Sequence, residues 1–394
     1  MIKAFTAHTA EIDDVDSALA EIKEQLNLDS DGRLLKNSIG ILSCYSDFLD
    51  SGVVRALSDA LPFEIIGSTT LCSATVDGAE TMALTLTVMT SDDVNFIVGL
   101  SEPITLNNGE AALRAAYEAA VLGRDTEEKL SLILSFSPLL LDVSGELYVN
   151  TANKVAPGVP LFGMLAVDHS SDYHGSQVIC NGEAYTDRCA FALLFGEANP
   201  KFFLASLSPE KIYREKGVVS ASHGGLLQSV NGMTTVKYLE TLGHKADSNG
   251  NIQGINTFPL LVDYNDGTSP VVRSMFTNTP DGAAVCGGDI PLGATLSVAS
   301  INADEIVATA AATLTSALEQ YKPACAFLFS CVGRFFFLGY EPLKEAEKVC
   351  EIVKDSGIAV HLAYCSGELC PVYGNDGKTT INRAHNITLA ICFF

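Results

Sequence analysis

The chain has 394 residues, with 24 Lys and Arg against 47 Asp and Glu, and a formal net charge of −23. At 47% hydrophobic and 18% charged residues it is too apolar for disorder and long enough for two or three domains. An acidic chain without a dense Lys/Arg face excludes nucleic acid and anionic membrane surfaces as partners, and no apolar run reaches the roughly 18 residues of a membrane span.

Met1, Ile2 and Lys3 open no signal-peptide pattern, so a cytoplasmic setting is expected, with the eleven cysteines reduced. No C-x-x-C pair occurs, and Cys44, Cys180, Cys189, Cys325 and Cys392 sit in apolar runs where a thiol acts as a small hydrophobe. Six of the cysteines fall between Cys325 and Cys392, which flags the C-terminal region for redox sensitivity.

Taken in order, the elements repeat weakly three times. A strand and a helix come first: Ile2 to Ala7 with Asp14 to Gln25, Val94 to Leu100 with Gly109 to Leu122, and Ala294 to Ala299 with Asn302 to Tyr321. A second strand ends near Ser43, Ser135 or Ser330, and after another helix a third ends at Gly67, Gly163 or Gly367. Each unit closes on antiparallel-looking strands, Met82 to Val88, Ala190 to Phe195 and Ile387 to Phe394. The apolar stripe Ile306, Ala310, Leu314, Ala317 and Tyr321 marks a helix, with Asn302 and Glu305 spaced as a cap. Residues 201–291 differ: short β-rich runs broken by Asn231-Gly232 and Asp266-Gly267 read as hairpins, with Asp247 to Gly254 an exposed loop. The predicted class is α/β, with mixed sheets covered by helices, built from about three βαβαββ units and a β-rich insert before the last.

Chemistry concentrates at the strand ends of the third unit. Ser330-Cys331-Val332-Gly333-Arg334 offers small polar atoms and a guanidinium able to grip a carboxylate, and Glu368 ends up near it if the two strands are neighbours. Arg334 and Glu368 either hold a zwitterion between them or close on each other as an internal clamp. Asn386 and Thr388 alternate onto one face, toward one pocket. Cys331 as a nucleophile needs a lowered pKa, and no general base is placed beside it. Asp168, after a core strand, is a site residue or a turn former. His169 and His174 are a weak metal signal, and Gly224-Gly225 and Gly287-Gly288 fit no nucleotide loop.

Together these residues resemble a known family. Phe258-Pro259-Leu260, Val272-Arg273, Phe329-Ser330-Cys331-Val332-Gly333-Arg334, Ser366-Gly367-Glu368 and His385-Asn386-x-Thr388 are similar, in that order, to the C-type portion of FIST (F-box and intracellular signal transduction) proteins. Ile41-Leu42-Ser43, Gly67-Ser68-Thr69, Pro160-Leu161-Phe162-Gly163 and Asp168 resemble the N-type portion more loosely. The resemblance implies an N-type portion over 1–215 and a C-type portion over 216–394. It also implies a sensory module for a small ligand, an amino acid or related carboxylate, in a family some of whose members are linked to haem and nitric oxide; no cofactor is expected here. Its ligand-binding set is Cys331, Arg334, Glu368, Asn386 and Ser330, joined by Ser68 and Asp168. No kinase, cyclase or methyl-accepting segment accompanies it, so output is expected through a separate signalling partner. Two other readings stay open: a cysteine- or carboxylate-dependent enzyme acting on a small amide or thioester, and a haem-based gas sensor.

Overall fold

The computed structural model describes residues 1–28, 30, 32–122, 128–170, 172–377 and 379–394. Its first unit runs β1 (Ile2–Thr9), α1 (Val15–Leu26), β2 (Asn37–Cys44), α2 (Asp47–Asp50), α3 (Val53–Ala60), β3 (Glu64–Thr69), the short hairpin β4 (Ser73–Ala74) and β5 (Ala79–Glu80), and β6 (Leu84–Ser91). The second runs β7 (Asn95–Leu100), α4 (Gly109–Val121), β8 (Leu130–Ser137), α5 (Glu146–Val155), β9 (Leu161–Leu165), the hairpin β10 (Val178–Cys180) and β11 (Glu183–Tyr185), and β12 (Ala190–Phe195).

The third unit starts at β13 (Lys201–Ala205) and is then interrupted. The insert comprises β14 (Ile212–His223), β15 (Leu226–Val230), β16 (Met233–Thr234), α6 (Thr235–Thr241), β17 (Leu260–Asp263), β18 (Val271–Arg273), β19 (Met275–Asn278), β20 (Ala284–Cys286) and β21 (Thr295–Ala299). The unit resumes with α7 (Ala303–Gln320), β22 (Cys325–Cys331), α8 (Val332–Phe337), α9 (Lys344–Val353), β23 (Ala359–Cys365), the hairpin β24 (Gly367–Tyr373) and β25 (Thr380–His385), and β26 (Leu389–Phe393). Asn302 caps α7 as its spacing predicts, accepting from the Glu305 N–H at 3.1 Å.

Three six-stranded sheets share one plan. Each orders its unit's first, last, second and third strands, with the second and third parallel and the other neighbours antiparallel. The last two places are taken by a hairpin from another unit. β10–β11 completes the first unit's sheet, β24–β25 the second's and β4–β5 the third's, so the three units exchange hairpins in a ring. One core, including Ile41, Phe136, Phe162, Phe327 and Phe329, lies between the three sheets, and a separate apolar layer joins each sheet to its own helices.

The repeat is therefore real at the level of strand order but differs in detail from its sequence reading. The strand expected to open the third unit, Ala294 to Ala299, pairs with β14 and β17 inside the insert, and β13 takes its place beside β26. Ser43 faces the central core, where His361 Nε2 lies 2.9 Å from its Oγ, whereas Ser330 and Ser135 bond to groups on the helix side, Glu345 and Cys189. Gly67 and Gly163 do match, opposite Leu42 and Ser135: a Cβ there would lie 1.8 and 2.0 Å from those residues' carbonyl oxygens. Gly367 opens β24 rather than ending β23.

The insert folds as an eight-stranded antiparallel sheet with its own core around Val230, Leu239, Val262 and Met275. Its 247–254 loop is exposed except for the half-buried Asp247 and the buried Ile252. All eleven cysteines are buried free thiols. No helix among the described residues is long and apolar enough to cross a membrane.

Candidate functional site

Where the insert meets the second unit, the structure encloses a cavity of about 700 Å³. The loop and first turns of α5 (residues 139–151) form one wall, and the insert turns 223–225 and 286–289 form another. The ends of the hairpin β24–β25, at 366–368 and 384–386, form the third. The insert can sit this close because Gly287 has no side chain; a Cβ there would lie 2.7 Å from Asn386 Oδ1.

The insert wall is pinned from behind by Arg273. Its guanidinium is fully buried, pairs with Glu146 at the start of α5, donates to Tyr264 Oη at 2.6 Å, and reaches the Ala384 carbonyl at 2.7 Å. Burial pushes the Glu146 carboxyl up, and the adjacent Arg273 charge works against that shift. One side chain thus joins insert, helix and hairpin, which fixes the cavity's shape.

On the hairpin wall, Glu368 is fully buried and takes a hydrogen bond from Cys365 Sγ at 3.3 Å to Oε1, while its Oε2 has no partner. Burial drives this carboxyl well above the ordinary range, against the pull of the Cys365 thiol, Arg334, the Thr388 N–H and the Cys331 thiol. Burial also raises both thiols, so neither Cys331 nor Cys365 offers a thiolate nucleophile. His385 places Nε2 3.0 Å from the Cys370 carbonyl, and burial lowers it to about 3, so its ring is neutral. Asn386 accepts from the Ser274 N–H at 3.3 Å and donates to the His385 carbonyl at 2.9 Å.

Of the residues expected together, Glu368 and Asn386 line the cavity, and Cys331 lies behind Glu368. Arg334 and Ser330 are elsewhere. Arg334 is fully buried and engages Glu345 through Nε and Nη2 at 2.8 and 2.5 Å, with Nη2 also donating to the Ile306 carbonyl at 2.8 Å. Ser330 Oγ and Tyr364 Oη donate to the same carboxylate at 2.7 and 3.1 Å. The clamp that the sequence allowed thus exists, but with Glu345 as the acid. Ser68 is buried in β3 with its Oγ unpartnered, away from the cavity. Asp168 organises its own turn, accepting from the Ser170 N–H and Oγ and from Ser176 Oγ at 3.1, 2.9 and 3.2 Å.

The sequence reading missed Glu146 and Asp289 on the cavity wall, and it named Arg273 only within the family resemblance, not behind a cavity. It also missed His361, whose ring bridges Ser43 and Thr87 in the central core. The doubled glycines at 224–225 and 287–288 were the available signal for the insert wall. Among the described residues, no group of three His, Cys, Asp or Glu side chains is arranged to hold a metal ion.

The FIST N domain family matches residues 38–233, and the FIST C domain family matches residues 236–371. The chain belongs to the FIST family. FIST domains are sensory domains of signal transduction, and in this FIST protein the cavity draws its walls from both matched regions. Among solved structures, the FIST chain is similar to a cyanuric acid hydrolase at 8% identity and a TM-score of 0.36, with 100% of this chain and 98% of that one covered. It is also similar to the cyanuric acid hydrolase of A. caulinodans at 10% identity and a TM-score of 0.30, covering 100% and 99%. These likenesses are too distant to carry an activity across. No curated protein matches the FIST chain.

Proposed function

We propose that this protein is a receptor for a small polar metabolite, an amino acid or a related small molecule, which enters the cavity between the portions 1–215 and 216–394 and signals through a separate partner. The observation that carries this reading is a preformed cavity with a buried, incompletely bonded carboxyl, Glu368, on its wall. Asn386 supplies a second fixed polar contact, and Cys365 holds Glu368 from behind, with Cys331 beside it. Arg334, Ser330, Ser68 and Asp168 maintain the fold around the site. Ligand binding bridges insert and second unit, so their packing is the natural output.

A thermal-shift screen of amino acids, amines and small carboxylates tests this. A ligand at 100 times its dissociation constant adds about 2.7 kcal/mol of stability. The shift should disappear in Asn150→Trp, which places an indole on the exposed α5 wall of the cavity. A screen without a hit, or a hit unaffected by Asn150→Trp, would overturn the assignment.

A further inference from the structure

We propose that the head group received by this cavity is an organic ammonium carried on an apolar tail, not a carboxylate. The inference rests on the receptor reading and narrows it to a ligand class. Five carboxyl side chains line the walls, Glu110, Asp142, Glu146, Asp289 and Glu368, against Lys154, His223 and His385, the last with its pKa lowered by burial to about 3. Lys154 is already paired with Glu110 at 2.7 Å, and Glu146 with Arg273. The Asp142 and Asp289 carboxylates make no hydrogen bond or ion pair among the described residues, the Asp289 carbonyl alone accepting from Tyr264 Oη and Arg273 Nε, and Glu368 keeps a buried Oε2 without a partner. Both guanidiniums that could have met an anion, Arg273 and Arg334, are fully buried and occupied by internal carboxylates. An entering carboxylate would face uncompensated acids and no available guanidinium. An ammonium supplies three donors to those same oxygens.

The rest of the ligand is indicated by the mouth. Leu106, Leu141 and Phe276 edge the same cavity and are 67%, 77% and 60% exposed. An apolar tail lying across them removes their surface from water while the head reaches the acidic wall. In the empty protein the Glu368 carboxyl is closed off from water; on binding it pairs with the ammonium as a carboxylate, any proton it carried passing to buffer.

The test uses three matched probes on the full chain by calorimetry: 2-phenylethylamine, 3-phenylpropanoate and phenylalanine. The amine should bind and the carboxylate should not. Glu368→Gln should weaken the amine about thirtyfold or more, as expected for loss of a buried charge partner. Asp289→Asn, a partly exposed position, provides the second reading if the Glu368 variant fails to fold, and should also weaken the amine. Binding of 3-phenylpropanoate at least as tight as the amine, or amine affinity unchanged in both variants, overturns the ammonium assignment. If 3-phenylpropanoate or phenylalanine binds and Asn150→Trp abolishes it, the receptor reading survives while the ammonium assignment falls. If none of the three probes binds, the ammonium assignment falls, and the wider screen decides the receptor reading.

Discussion

Replacing Arg334 by Met removes a guanidinium that ties four elements and the turn before β26 together. It donates to Glu345 on α9 at 2.8 and 2.5 Å, to the carbonyl of Ile306 on α7 at 2.8 Å, and to those of Ala205 in β13 and Ile387 at 3.4 and 3.5 Å, all from α8. Neither partner is exposed to solvent. Without Arg334 the Glu345 carboxylate is an unpaired buried charge, and Ser330 and Tyr364 alone cannot neutralise it. Breaking such a pair from one side costs about 3–5 kcal/mol. Glu345→Leu alone should cost a similar amount. The double variant removes both charges and should recover to within about 2 kcal/mol of the parent, the residue being the stranded Ile306 carbonyl. Urea unfolding followed by circular dichroism, run on all four proteins, yields the coupling energy, expected at about 3 kcal/mol or more. If Arg334→Met costs less than about 1 kcal/mol and instead erases ligand stabilisation, Arg334 is a ligand residue and the clamp account is wrong.

Three further outcomes follow from positions already described. His361 is lowered by burial to about 3, so between that value and its ordinary 6.5 the unfolded chain binds the extra proton. Its contribution is complete above about pH 6.5 and is lost progressively as the pH falls toward 3, by at most about 5 kcal/mol. His361→Gln should flatten that part of the urea-midpoint profile, and identical acid slopes in the two proteins would refute the assignment. Gly67→Ala and Gly163→Ala drive a Cβ to within 1.8 and 2.0 Å of a carbonyl oxygen and should cost about 3 kcal/mol or more, whereas Gly78→Ala, with open space around it, should leave the melting temperature unchanged. Asn302→Ala removes the cap of α7 and should lower stability by about 1 kcal/mol in the same urea assay.

Periodicity located most helices and strands because their apolar faces are local properties of the chain. The order of strands within a sheet is not local. β13 was not recognised as the third unit's first strand because the insert separates it from α7, and β21, which directly precedes α7, occupies the expected place in sequence. Arg334 was found, but its partner was misassigned for a similar reason. Strand-end logic pointed to Glu368, whereas Glu345 sits four residues before Val349 on the buried face of α9. An acid on an apolar stripe was the readable clue. Glu368 and Asn386 border the cavity without Arg334, with which they were expected to converge, and its opposite wall comes from an insert whose docking leaves no periodic mark in the sequence. His361 stayed hidden inside an apolar strand, since only the facing sheet shows that its ring meets Ser43 and Thr87.

The ring of exchanged hairpins has a consequence for synthesis. β13 is complete at Ala205, but its sheet partner β26 starts only at Leu389. At about 5–20 residues per second, the roughly 180 residues between them occupy the ribosome for about 10–40 seconds. The second sheet also waits for 367–385 to supply its last two strands. Until then, Phe162, Met164 and Phe202 have no finished central core to enter, and the free edge of β9 can pair with other chains. The nascent chain therefore carries aggregation-prone surface for nearly half of its synthesis, and a stop codon even a few residues before Leu389 would leave one sheet without its second strand.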